Sequence, residues 1–262
     1  MGPAGDGQRQ QIDGTVQEME MTTKSKQRVW GLAWVATAIL LALAGYAIFF
    51  VAPRELTMGN IQRIFYVHVA TAWCGFIAFF ISFFGCIGYL ASRQMEWDWL
   101  AVATAEVGLM FTTVVLITGP VWAKPVWGVW WVWDARLTTA FILEMLYIAY
   151  LLLRKMVTEP GRRAMISAVF GIFAFLDVPL CYFSIRWWRT LHPAPVIGGG
   201  PGSGINPVMW HVFLFGLAGF LALTVILVRD RYRMEALRQK ISELAADLEE
   251  REESLESKEV TR

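Results

Sequence analysis

The sequence predicts an all-α, polytopic membrane protein with six transmembrane helices, both termini cytoplasmic, and a heptad-patterned helix in its C-terminal tail. Three observations carry this expectation. Of 262 residues, 56% are hydrophobic, and the mean hydropathy is +0.46. Charged residues make up only 17%, against about a quarter in soluble domains, and they are clumped. Several apolar runs also reach the roughly 20 residues that a helix needs to cross a bilayer.

Taken in order, residues 1–28 are polar, and residues 1–22, rich in Gly, Gln and Glu, read as disordered. The apolar run that follows is too long for the core of a cleavable signal peptide. The expected spans are about 30–51, 67–91, 99–121, 136–153, 164–184 and 207–228. Within the fifth, Pro179 follows Asp177 closely, which predicts a kink. A polar tail (1–28), a six-span membrane domain (29–228) and a charged helical tail (229–262) are the expected divisions.

Lysine and arginine in the short loops give the orientation. One side collects eleven: Lys24, Lys26, Arg28, Arg93, Arg154, Lys155, Arg162, Arg163, Arg229, Arg231 and Arg233. The other collects six: Arg54, Arg63, Lys124, Arg136, Arg186 and Arg189. The richer side is assigned to the cytoplasm. Cys74, Cys86 and Cys181 all lie in apolar runs, an odd number with no haem-attachment motif. That argues against disulfides and against a c-type cytochrome.

The segment between the third and fourth spans reads WAKPVWGVWWVWDAR. Gly119, Pro120, Pro125 and Gly128 predict that no long regular helix runs through it before about Val129. Trp127, Trp130, Trp131 and Trp133, with Trp122 just upstream, concentrate indole on the outer side. An interfacial aromatic belt is one reading. Belt tryptophans are usually scattered over several span ends, however, whereas a cluster in one loop makes a broad π surface for a flat apolar ligand. Asp134 and Arg136 close the run and can pair with each other.

All three histidines fall near the same outer surface. His68 lies at the start of the second span, His192 between the fifth and sixth, and His211 about one turn into the sixth. Two neutral imidazoles reaching one point from separate loops suit the axial positions of a haem iron. A zinc site would need three or four ligands, and no Cys or acidic cluster lies nearby. Haem carries propionates, for which arginine is a bidentate partner. Arg63, Arg136 and Arg189 are the candidates, with lipid headgroups as the competing use of such cations. His211 is expected to pack within the sixth span.

Two further features stand apart. Met234, Leu237, Ile241, Leu244, Leu248 and Leu255 are spaced as an a/d seam, interrupted by Arg251. Either a solvated helix or a partner-binding one fits that pattern. Glu106, Glu144 and Asp177 lie inside apolar runs, where an ionisable group either functions or pairs across helices.

The motif GPVWAKPVWGVWWVWDARLTT resembles the tryptophan-rich WWD signature of haem-handling proteins in cytochrome c assembly. The stretches MGNIQRIFYVHVATAW and LDVPLCYFSIRWWRTLHP resemble the two histidine motifs of its cytochrome c maturation protein C (CcmC) branch, supplying His68 and His192. The resemblance covers roughly residues 30–228. It implies a haem exporter component that performs no bond chemistry. Haem b, as transient cargo, is held between His68 and His192 against Trp122, Trp127, Trp130, Trp131, Trp133 and Asp134. It is then presented to a periplasmic haem chaperone (CcmE-like). The implied partners also include ABC-type haem-release transporter subunits (CcmA/CcmB-like) and a small membrane helper subunit (CcmD-like), in the inner membrane of a bacterial-type cell. No nucleic acid is implicated.

Competing functions fit less of the sequence. A bis-histidine cytochrome b wants two haems and four histidines in mid-span. A cytochrome c synthase subunit attaching thioethers carries more spans and histidines. A cofactor-free transporter leaves the tryptophans and the histidine pair unexplained.

Overall fold

The computed structural model describes residue 25, residues 27–193 and residues 205–260, with side chains described as far as Ser254. Six helices are long and apolar enough to cross a membrane, and no strand occurs among the described residues. The six expected spans are therefore present. The residues read as a disordered N-terminal tail lie outside the described part, as does the Gly/Pro-rich stretch 194–204.

Helix α1 (Gln27–Val51) ends in a π-helical turn over Ala47–Val51. A short loop follows, in which the Glu55 carboxylate accepts from the Thr57 N–H at 2.7 Å and from the Met58 N–H. A 3-10 turn, Asn60–Arg63, then leads straight into α2 (Ile64–Ser92). Helices α2 and α3 (Met95–Trp127) form a tight antiparallel pair. Their approach depends on small residues sharing one face of α2. A Cβ on Gly85 would stand 3.0 Å from the Ala101 nitrogen and 3.1 Å from its Cα, and one on Gly75 would stand 3.5 Å from the Gly108 carbonyl. Ser82, on the same face, donates to the Ala101 carbonyl at 2.9 Å. Without a hydrophobic drive between helices in lipid, such close backbone packing is what holds a pair together.

Helix α3 corrects the expectation of an irregular Trp-rich segment before Val129. It runs unbroken past Gly119, Pro120 and Pro125 to Trp127. Each proline loses one backbone hydrogen bond, but unwinding a turn inside the bilayer would orphan several. The stop comes at Gly128, whose φ of 78° is the left-handed conformation glycine tolerates, with its N–H on the Lys124 carbonyl at 3.0 Å. The irregular part is thus confined to residues 128–134.

Helix α4 (Ala135–Met156) packs against α3, α5 (Pro160–Phe175) and α6 (Asp177–Trp187). Helices α5 and α6 are one span broken at Leu176. Pro179 has no N–H to offer the Phe175 carbonyl and its ring crowds that turn, so the kink falls where the sequence put it. Helix α7 (Pro207–Val260) holds the sixth span and the tail in one continuous rod of 54 residues, roughly 81 Å long at 1.5 Å per residue. Met234, Leu237, Ile241, Leu244 and Leu248 are all exposed along it. The side chain of Leu255 lies outside the described residues.

Buried polar groups pair across helices. Arg154, at the end of α4, makes a bidentate ion pair with Asp98, in the first turn of α3, at 2.6 and 2.8 Å, and both are buried. Sequence reading did not single out this pair. Glu106 pairs with Arg231 of α7, and the Glu144 carboxylate accepts from the hydroxyls of Thr112 and Thr113. Asp177, buried at the α5/α6 break, has an Oδ2 without a hydrogen-bond partner among the described residues. The main core, with Phe79 stacked on Tyr147 at 3.6 Å and Leu143 and Tyr150 beside them, fills the bundle between these layers and the site.

Candidate functional site

Beyond that core, at the end of the bundle where α2 begins and α3 ends, the helices enclose a cleft of about 1660 Å³, its open mouth included. Leu143 and Phe76 belong both to its lining and to that core, and Trp73 meets Tyr182 edge-on at 6.2 Å, tying α2 to α6. Apolar and aromatic side chains supply most of the walls.

Helix α2 brings His68 into the cleft in its second turn. Its Nδ1 lies 2.8 Å from Thr118 Oγ1 on α3. His192 enters from the chain that leaves α6 and also lines the cleft. Its Nδ1 lies 2.9 Å from the Pro193 carbonyl. A carbonyl only accepts, so Nδ1 carries the proton and the Nε2 lone pair is available. Burial first, and then the Arg136 guanidinium, bring His192 down to about 4 from the ordinary histidine value, so the ring is neutral near pH 7.

The tryptophans divide. Trp122, Trp127 and Trp131 line the cleft, with Trp122 and Trp127 edge-to-face at 5.2 Å. The Trp131 indole N–H is buried and has no partner among the described residues. Trp130 and Trp133 are not among the lining residues and are 58% and 71% exposed. Trp133 packs on its outer side against Trp131 and Phe141, at 5.5 and 5.8 Å. One short segment therefore supplies both wall and exterior.

Among the cations, Arg136 lines the cleft, donating through Nη1 to the Cys181 carbonyl and lying 5.9 Å from the Phe76 ring centre. Arg63 is half-buried over Phe49 at 5.8 Å, and Arg189 is exposed; neither lines the cleft. Asp134 does not line it either, and it does not pair with Arg136. Its Oδ1 caps α4 by accepting from the Leu137 N–H at 2.9 Å. Its Oδ2 accepts from the Thr190 hydroxyl and from the Leu191 N–H at 3.1 Å. His211 differs from the expected packing role: it is exposed, with Nδ1 2.6 Å from the Pro207 carbonyl, and lies outside the cleft lining.

Sequence reasoning missed Thr118, Thr190, Trp73, Phe76 and Tyr182. A signal for Thr118 was present: it sits four residues before Trp122, on the same helical face. Among the described residues, no group of three or more His, Cys, Asp and Glu is arranged to hold a bare metal ion. Two imidazoles in one apolar cleft suit an iron that already carries four ligands in a flat ring.

Comparison with known proteins gives a consistent result. The family model described as heme exporter protein C matches residues 15–247. The chain is 35% identical over 216 residues to heme exporter protein C of Bradyrhizobium diazoefficiens, covering 81% of each chain. It is 35% identical to heme exporter protein C of Escherichia coli K12 over 227 residues, 82% of this chain and 89% of that one. A putative cytochrome c biosynthesis ccmC-like mitochondrial protein of Arabidopsis thaliana is 32% identical over 230 residues, 88% of this chain and 86% of that one.

Proposed function

Because the chain belongs to the heme exporter protein C family, we propose that it holds haem b at the outer face of the cytoplasmic membrane and passes it to a periplasmic haem chaperone. Haem transport for cytochrome c maturation is its role, and it is a multi-pass membrane protein. The observation that carries the finer reading is the convergence of His68 and His192 on one cleft, each with Nδ1 occupied by a neighbour.

Each residue then has a task. The porphyrin face lies against Trp122, Trp127 and the apolar walls, where burial of a flat ring is favourable in proportion to its area. The Nε2 atoms of His68 and His192 take the two axial positions of the iron. Arg136, which lines the cleft, is the charged donor for a propionate carboxylate. His192 is neutral at pH 7, so no proton has to leave before iron binds.

The excess of lysine and arginine on the opposite loops, eleven against six, supports an outward-facing cleft and cytoplasmic termini. Trp130 and Trp133, exposed beside the cleft, offer apolar surface to an incoming chaperone of the CcmE kind. The protein makes and breaks axial ligand bonds only, and covalent attachment belongs to the chaperone. Transporter subunits of the CcmA/CcmB kind and a small CcmD-like helper complete the proposed system.

Transfer is the test. Haem-loaded protein in liposomes is mixed with a purified membrane-anchored haem chaperone, and covalent haem on the chaperone is followed by gel-resolved haem staining. The reading expects chaperone labelling that depends on the loaded protein. Equal labelling from free haem at the same concentration would refute delivery.

A further inference from the structure

We propose that Thr118 is a positioning residue for the cargo: its hydroxyl accepts the His68 Nδ1–H and so keeps the Nε2 lone pair, on the opposite edge of the ring, for iron. The proposal rests on His68 being an axial ligand, as argued above.

The geometry is specific. Thr118 Oγ1 lies 2.7 Å from the Val114 carbonyl one turn earlier in α3, and 2.8 Å from His68 Nδ1 on α2. A threonine hydroxyl has a single proton. With that proton on the Val114 carbonyl, the oxygen faces the imidazole with lone pairs only. Nδ1 must then be the donor and Nε2 the bare nitrogen. The opposite tautomer would place two lone pairs against each other at Nδ1 and close Nε2 to a metal. Both partners are half-buried, so water is a poor substitute acceptor.

Threonine back-bonding to a carbonyl four residues earlier is common in this bundle: Thr71, Thr104, Thr139 and Thr224 all do it. Among the described residues only Thr118 adds an imidazole to that bond. A Cβ placed on the neighbouring Gly119 would come to 3.4 Å from His68 Cε1, so the ring edge lies close beside α3 at a position without a side chain. The hydroxyl sets the ring plane and the tautomer. His192 reaches the same state through a different acceptor, the Pro193 carbonyl. Both imidazoles are thus pre-set before cargo arrives.

Partners of this kind typically change metal affinity 10- to 100-fold when removed, because they set both the orientation and the basicity of the ligand. The Nδ1–H bond also pushes electron density toward Nε2, which favours ferric iron.

The test uses the full chain with Thr118→Val, Thr118→Ala, Thr118→Ser and His68→Ala. Haemin titration of apo-protein gives affinity, the low-spin optical bands give ligation, and potentiometry gives the midpoint. Size-exclusion elution identifies any variant that does not fold, and the valine and alanine variants back each other up. Expected are a 10- to 100-fold loss of affinity and a raised midpoint in Thr118→Val and Thr118→Ala, with Thr118→Ser like the wild type. If His68→Ala disturbs ligation while Thr118→Val and Thr118→Ala match the wild type, the Thr118 inference alone is overturned. Serine behaving like valine overturns it too, since the methyl group and not the hydroxyl would then matter. If His68→Ala leaves affinity and bands unchanged, the ligand reading itself is refuted and the Thr118 inference goes with it.

Discussion

Asp134 binds Thr190 through a hydrogen bond from the threonine hydroxyl to Oδ2, joining the Trp-rich segment to the loop that carries His192. Thr190 Oγ1 in turn accepts the His192 backbone N–H at 3.0 Å. The carboxylate also caps α4 through Leu137 and holds the Leu191 N–H. The acidic residue of the signature therefore acts on the site by placing an imidazole and starting a helix.

Replacing Asp134 with alanine removes the cap and the clamp at once. Loss of an N-cap alone costs about 1 kcal/mol, and the freed loop adds to it. Asp134→Ala should lower the thermal midpoint and bind haemin more weakly, with Asp134→Asn intermediate because its amide oxygen still accepts. Calorimetry of the apo-protein and haemin titration check both. An unaltered affinity in a destabilised Asp134→Ala would separate the cap from the site.

Arg154 and Asp98 sit at the opposite end of the bundle from the cleft and form a buried bidentate pair. Removing one member of such a pair typically costs 3–5 kcal/mol, whereas replacing both with apolar residues of similar size is often close to neutral. Asp98→Ala should therefore destabilise the protein far more than the double replacement Asp98→Leu with Arg154→Met. Thermal unfolding in detergent ranks them. Haem affinity of the folded double variant should equal that of the wild type.

His192 supplies a pH dependence. Its value in the folded protein, about 4, lies below the ordinary 6.5 of histidine. With His192 as the proposed iron ligand, the proton competes for it only below about pH 4. An unperturbed histidine would lose about tenfold in ligand availability for each pH unit below 6.5. Haemin affinity attributable to His192, taken as the ratio of wild type to His192→Ala, should stay constant from pH 7.5 to 5.5. For stability the sign is the reverse of a paired histidine. The unfolded chain takes up the proton first, so the apo-protein loses stability as pH falls from about 6.5 toward 4.

Much of this was legible in the sequence because the bilayer imposes length and polarity so strictly. The six spans and the kink before Pro179 follow from runs of apolar residues and one missing N–H. His68, His192, Trp122, Trp127, Trp131 and Arg136 share a cleft because span counting already puts them at one end. Three things were not legible. Pro120 and Pro125 look like helix breakers by local chemistry, but lipid penalises the break more than the lost bonds. Trp130 and Trp133 stay outside the cleft lining because the chain after Gly128 turns, and composition carries no direction. The partners of the site, Thr118 and Thr190, are short polar residues: the spacing from Trp122 marks the helical face of Thr118, but which side chain lies opposite either threonine exists only in three dimensions.

The central claim, two histidines binding one haem iron, is tested most directly by the optical spectrum of the haem-loaded protein beside His68→Ala and His192→Ala. The account predicts sharp low-spin bis-imidazole bands in the wild type, with each substitution shifting or abolishing them. Bands unchanged by both substitutions would contradict it.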